Sequence, residues 1–124
     1  MLYEKYSKIV ETVISKYKEN ISFVVYIDKT RHADERQWRH GVSDYITDDD
    51  IIDVVRKATS FISKQLVFDK LDIGDEIVIY DRTNDLNIVC SLEASRDDII
   101  NIVIITVMKK RDFKPKSGTK KIII

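Results

Sequence analysis

The chain has 124 residues, of which 44% are hydrophobic and 34% are charged, a balance typical of a globular domain. Its 21 lysines and arginines equal its 21 aspartates and glutamates, so the net charge favours no particular class of partner. A single cysteine and two histidines exclude an internal disulfide and zinc-ligand spacing, and they favour a cytoplasmic setting. The length fits one domain, over residues 1–124. Since no apolar run approaches the roughly 20 residues that span a bilayer, we expect no membrane partner.

The first third of the chain predicts a helix, a strand and a short helix. Residues 2 to about 19 predict an amphipathic helix, since apolar side chains recur at three- and four-residue steps. Its apolar face either packs on the core or docks a partner helix. The β-branched and aromatic run 21–27 predicts a strand. Residues 33–39 then predict one or two helical turns that place His32 and Arg36 on one face, with Gly41 ending the helix.

The second predicted helix begins at Thr47 and continues to about residue 66. The Thr47 hydroxyl can accept from a free backbone N–H of the first turn, and Asp48, Asp49 and Asp50 suit the positive end of the helix dipole. Three adjacent carboxylates also suggest a metal site, but contiguous acids on a helix do not converge on one ion. We therefore interpret them as a charged helix start and expect no metal site.

The second half of the chain predicts strands. Residues 76–80 and 86–92 alternate apolar and polar side chains across a polar turn, which predicts a β-hairpin with Cys90 as a core residue rather than a nucleophile. The apolar run 100–108 predicts a central strand buried on both faces, and residues 122–124 predict an edge strand. The expected fold is α+β, with N-terminal helices packed on one face of an antiparallel sheet of about four strands.

From residue 109 onward the chain is basic. Its cations are Lys109, Lys110, Arg111, Lys114, Lys116, Lys120 and Lys121. Such a cluster is typical of a surface that binds phosphate backbones. Lysines along an edge strand also prevent aggregation, so both interpretations stay open.

Residues 31–43 hold both histidines and the only tryptophan of the chain. The pattern His32-Ala33-x-Glu35-Arg36-x-x-x-His40-Gly41-Val42-Ser43 resembles the His-Ala-x-x-Arg-x-x-x-Arg-Gly-Ile-Ser motif of small phage and bacterial proteins. These proteins are grouped with the barnase, EndoU, colicin and RelE-type nucleases. Residues 104–110 resemble a later strand of that group, whereas the N-terminal segment has no counterpart. His40 replaces the second arginine of the motif, with Arg39 one place earlier.

The resemblance implies metal-independent cleavage of single-stranded RNA without a cofactor, in the cytoplasm of a host if the protein is phage-encoded. His32 would be a general base or acid and His40 a second proton carrier, because histidine titrates near neutrality. Arg36 and Arg39 would bind the phosphate through their donor forks, with Thr106 opposite them. The remaining predicted substrate contacts are Lys109, Lys110, Arg111 and Trp38. Trp38 or Tyr26 would stack a base.

Each assignment has an alternative. The histidines can be ordinary surface residues, with Arg36 paired to Asp34 or Glu35. For Trp38 we expect packing in the interior, because large aromatic residues are mostly buried. At the level of function, the alternatives are a catalytically inactive relative that binds nucleic acid, and a small phage-type protein that binds and inhibits a host protein. If the protein is a nuclease, a protein inhibitor is a further expected partner.

Overall fold

A six-stranded mixed sheet forms the framework of the protein. The computed structural model describes residues 3–16, 22–38, 45–68, 70–96, 99–111 and 113–124. Its elements in chain order are β1 (Ser7–Lys16), β2 (Ser22–Lys29), α1 (Arg31–Gln37), α2 (Asp48–Val67), β3 (Glu76–Asp81), β4 (Leu86–Arg96), β5 (Ile99–Lys109) and β6 (Lys120–Ile123). The strand order is β1-β2-β5-β4-β3-β6. β2 pairs parallel with β5 and β3 pairs parallel with β6, while the other neighbours are antiparallel.

The predicted first helix is wrong, because residues 7–16 form strand β1. Apolar residues come in pairs at Ile9 and Val10 and again at Val13 and Ile14, a spacing that fits a helix better than a regular strand. Two register shifts against β2, between Lys8 and Val10 and between Val10 and Val13, accommodate that spacing in a strand. The β-branched composition and the pairing with β2 therefore outweigh the helical period.

The predicted sheet is also wrong in its size, its strand directions and the position of its helices. Six strands replace about four, the sheet is mixed rather than antiparallel, and a hairpin rather than a helix comes first. Only the broad α+β class agrees. The missed features join strands that are distant in sequence, since β2 pairs with β5 and β6 returns to β3. Local alternation of side chains carries no information about such pairings.

Most of the other local predictions are confirmed. Thr47 caps α2 with a full capping box, in which its hydroxyl accepts from Asp50 N–H and the Asp50 carboxylate accepts from Thr47 N–H. β3 and β4 form the predicted hairpin, β5 lies between β2 and β4, and β6 is an edge strand. Gly41, the predicted end of α1, lies outside the described residues.

The core lies between α2 and one face of the sheet. It includes Ile51, Val55 and Ile62 of α2, Ile77 and Ile79 of β3, Ile88 and Cys90 of β4, and Ile102 and Ile104 of β5. Burial raises the pKa of the Cys90 thiol to about 12, and Cys90 is a core residue as predicted. The strand residues between these core positions point to the opposite side, which we call the second face. No helix of the described segments is long and apolar enough to span a membrane.

Candidate active site

Thr30 attaches α1 to β5. Its backbone N–H donates to the Ile104 carbonyl at 2.9 Å and its hydroxyl donates to the Ile105 carbonyl at 3.1 Å. The same hydroxyl accepts from Ala33 N–H at 3.1 Å and so caps the first turn of α1. The register of β4 against β5 shifts at this point, which leaves Ile105 as an extra residue before Thr106. Thr30 therefore fixes the start of α1 beside Ile104 and Ile105, near the middle of β5.

The rotation of α1 is set by two buried side chains. Ala33 belongs to the core, and the Gln37 amide donates to the Ile46 carbonyl at 3.0 Å. With these positions facing inward, His32 and Arg36 share a more exposed side, one turn apart. Arg36 Nε donates to His32 Nε2 at 3.4 Å, so the predicted shared face is confirmed.

The contact between Arg36 and His32 defines a proton acceptor next to a cation. His32 Nε2 is placed as the acceptor of this hydrogen bond, and an imidazole nitrogen in that role is also one that can accept a proton. At 3.4 Å in an exposed position the bond is long and easily broken. A phosphate that draws the Arg36 guanidinium into a charge-assisted hydrogen bond would therefore free Nε2 to accept a proton from the substrate.

Trp38 lies on the other side of α1, next to an open depression of about 420 Å³. Its indole stacks on Tyr45 with ring centroids 5.2 Å apart and is 63% exposed. The expectation that Trp38 packs in the interior is therefore wrong. Carboxylates of Asp34 and Asp48 line the same depression. An exposed aromatic surface beside hydrogen-bond acceptors suits a base better than a phosphate.

Lys29 holds α1, α2 and β2 together beneath that depression. Its ammonium lies 2.8 Å from Asp34, 2.9 Å from Asp48 and 2.9 Å from Gln37 Oε1, and its side chain is 7% exposed. Burial lowers the pKa of Lys29, but the hydrogen bonds to Asp34 and Asp48 outweigh it and hold the pKa above its ordinary value. Burial likewise raises the pKa of Asp48, and the hydrogen bonds from Lys29 and Gln37 bring it below its ordinary value.

Sequence reasoning missed Lys29. A signal existed, because Val25, Ile27 and Lys29 share one parity of β2 and the first two are fully buried. A lysine at a core position needs carboxylate partners, and Asp34 and Asp48 are the first acids of the two following helices. The predicted charged start of α2 is thus partly an interior contact.

The predicted site residues on β5 lie further from α1. Thr106 opposes Val89 and precedes Val107, a core residue, so the Thr106 side chain points to the second face. At about 3.4 Å per residue, Lys109 lies about 10 Å beyond Thr106 along the strand. Lys109 and Lys110 are exposed, and Arg111 lies 3.8 Å from Asp85 in the β3–β4 turn.

Two predicted site residues, Arg39 and His40, lie outside the described residues. Tyr26, the alternative stacking residue, is on β2 with the Lys8 ammonium 5.3 Å from its ring centroid. The structure thus brings His32 and Arg36 into contact and attaches their helix to β5. It places Trp38 on the opposite side of α1 and turns Thr106 to the second face.

Comparisons with protein-family models, with curated proteins and with solved structures find no match for this chain. The resemblance to the nuclease group therefore stays a prediction that depends on the motif residues themselves.

Proposed function

We propose that the protein is a metal-independent endoribonuclease whose reacting groups lie on α1. The observation that carries the proposal is the contact of the His32 imidazole with the Arg36 guanidinium on an accessible side of a helix. Buried Ala33 and Gln37 hold that side outward, and Thr30 attaches the helix to β5. A proton acceptor and a phosphate-binding cation are thereby held on a rigid element, as phosphodiester cleavage requires.

The proposed reaction needs no group beyond the RNA and the side chains. The ribose 2′-oxygen attacks the adjacent phosphorus while His32 Nε2 accepts its proton. The bond from phosphorus to the 5′-oxygen breaks, which leaves a 2′,3′-cyclic phosphate and a 5′-hydroxyl after that oxygen gains a proton. Arg36 stabilises the charge that develops on the phosphoryl oxygens. His40 is the predicted proton donor to the leaving oxygen.

Two other surfaces of the protein, one at Trp38 and one at the end of β5, offer contacts for a single strand of RNA. The exposed face of Trp38 offers a stacking position for a base, worth about 1–3 kcal/mol in single-strand binding proteins. Along β5, Lys109, Lys110 and Arg111 offer contacts to the phosphates. Thr106 points to the second face, whereas Ala33 packs α1 on the core side, so the proposed cleavage uses no contact from Thr106.

A cleavage assay in EDTA with matched variants of α1 tests the proposal. We expect purified protein to cleave single-stranded RNA, and His32→Ala and Arg36→Ala to lose at least about a hundredfold in rate, as typical of an acid–base or oxyanion-stabilising group. Glu35→Ala is the control, because Glu35 is an exposed residue of the same helix. Its rate should match that of the wild type.

Three results would contradict the proposal. Binding of RNA by both the wild type and His32→Ala, with no cleavage by either, would indicate an inactive nucleic-acid-binding relative. Neither binding nor cleavage would indicate a protein partner instead. Equal cleavage by wild type and His32→Ala would assign the activity to other residues or to a contaminant.

A further inference from the structure

A polar cleft of about 380 Å³ lies at the beginning of β3, away from α1. This volume is in the range of small-molecule sites. Its floor is Ser91 of β4 and Glu76 of β3, two opposed residues on the second face. Its walls are Tyr3, Gly74, Asp75 and residues 116–120. None of these residues takes part in the proposed cleavage site.

The Ser91 hydroxyl at the floor of the cleft has no hydrogen-bond partner among the described residues. Ser91 is only 1% exposed, and buried hydroxyls in folded proteins nearly always have a partner. Ser91 lines the cleft but its hydroxyl oxygen is itself buried, so a group that enters the cleft supplies the missing hydrogen bond once the Ser91 side chain turns toward it. The floor therefore offers one donor and acceptor that the fold itself leaves unused.

The charges that line the cleft cancel. Lys116 lies 3.0 Å from Glu76 and Lys120 lies 3.7 Å from Asp75. Tyr3 OH also donates to Glu76. Because the two ammonium groups balance the two carboxylates, the lining carries no net charge that would attract an anion or a cation. A neutral ligand can instead donate to the remaining carboxylate lone pairs and accept from the ammonium and hydroxyl groups.

A tight turn forms the outer wall. Thr119 N–H donates to the Lys116 carbonyl at 3.2 Å, and Gly118 has φ +89°, the left-handed region that suits glycine. Ser117 and Thr119 add two further hydroxyl-bearing residues to the lining. The wall is thus polar along its length, with hydroxyl groups and backbone amides rather than apolar side chains.

We propose that this cleft binds a neutral polyhydroxylated ring of the ribose type. Two neighbouring ring hydroxyls donate to Asp75 and Glu76, as the ribose 2′-hydroxyl donates to an acidic residue in dinucleotide sites. Ser91, Lys116 and Lys120 donate to the ring oxygens, and the Tyr3 ring offers an apolar surface to the carbon face of the sugar. The ring can belong to a free ribonucleoside or to an RNA strand, since the shared chemistry is the pair of hydroxyls.

The test is an NMR titration of the ¹⁵N-labelled protein with methyl β-D-ribofuranoside and with its 2-deoxy analogue. We expect the riboside to shift the amide signals of Ser117 and Gly118 in the millimolar range, and the deoxy analogue to bind about tenfold more weakly for the loss of one hydrogen bond to a charged group. Ser91→Ala should weaken riboside binding by about fivefold to tenfold. The control Ser60→Ala, at an exposed position of α2, should leave it unchanged.

Further titrations show whether the bound ring comes from RNA or from a free sugar, and which results would overturn the proposal. If a short oligoribonucleotide shifts the same amides at lower concentration than the riboside, the ring belongs to RNA. If only the riboside acts, the ligand is a free sugar or nucleoside. Absence of shifts at about 20 mM riboside, well above the expected dissociation constant, would overturn the proposal and assign the Ser91 hydroxyl to bound water. Equal binding of the riboside and its deoxy analogue would overturn it too. None of these results depends on RNA cleavage, so the two proposals can fail separately.

Discussion

At the scale of single residues, Lys29 is the side chain on which the geometry of α1 depends. Its ammonium joins a strand to the first acid of each helix, within 2.9 Å of both carboxylates. A buried ion loses its hydration, so it persists only where its partners replace that hydration. Lys29, Asp34 and Asp48 therefore form one unit, and removal of the cation leaves two carboxylates facing each other.

We expect Lys29→Met to lower the free energy of unfolding by about 1.5–3 kcal/mol, the range for hydrogen bonds to charged groups. Methionine keeps most of the side-chain volume, so the change reports the lost charge rather than a cavity. Urea unfolding measures it. The control Lys64→Met removes an exposed lysine of α2 and should change stability little. Equal effects of the two substitutions would show that Lys29 contributes no more than a surface lysine.

Asp48 makes stability depend on pH in acid. Its folded pKa is below its unfolded value near 4, so its contribution is complete above about pH 4 and is lost as the pH falls through the folded pKa. Between pH 5 and pH 2 the wild type should therefore lose more stability than Asp48→Asn. Denaturant unfolding at a series of pH values measures the two curves, and parallel curves would be inconsistent with a lowered pKa.

At the scale of elements, the two helix caps allow a matched comparison. Thr30 and Thr47 each accept a hydrogen bond from the first turn of a helix, but only the Thr30 hydroxyl also donates to β5. We expect Thr30→Val and Thr47→Val each to cost about 1–2 kcal/mol of stability. Thr30→Val should in addition reduce RNA cleavage at least about tenfold, because a small displacement of His32 and Arg36 is costly to catalysis. Parallel unfolding and cleavage assays compare them. Equal cleavage by the two variants would mean that attachment to β5 does not position the site.

The elements also show which information the sequence contains. Local signals predicted α2, its cap, the β3–β4 hairpin and β5, because each depends on the period and chemistry of one segment. β1 was mistaken for a helix, since its paired apolar residues fit a period of 3.6 and its two register shifts against β2 are visible only in the sheet. Both parallel pairings join distant segments and leave no local pattern.

The candidate site also has features that the sequence predicts and features that it does not. The spacing of His32 and Arg36 predicted their contact, because residues four apart on a helix are neighbours. The exposure of Trp38 could not be predicted, since it depends on stacking with Tyr45, about seven residues further along the chain. The orientation of Thr106 could not be predicted either, because the irregular pairing at Ile105 decides which face it joins.

At the scale of the whole molecule, β4 lies inside the sheet between β3 and β5, and Cys90 at its middle reports on global opening. Burial raises the pKa of this thiol to about 12, so the native protein presents no thiolate at pH 8. We expect iodoacetamide to label Cys90 only through unfolding, with a rate that rises with urea in parallel with the unfolded fraction. Labelling of the native protein at the rate of a free thiol would show that the β3–β4 part of the sheet opens locally.

The central claim, that His32 and Arg36 cleave RNA through its own 2′-hydroxyl, is tested most directly by the end groups of the products. A single-stranded RNA of defined sequence is incubated with the protein in EDTA, and the masses of the fragments are measured by mass spectrometry. We expect fragments ending in a 2′,3′-cyclic phosphate, with 5′-hydroxyl partners, and intact RNA when His32→Ala replaces the wild type. Linear 5′-phosphate ends, or identical fragments from His32→Ala, would contradict it.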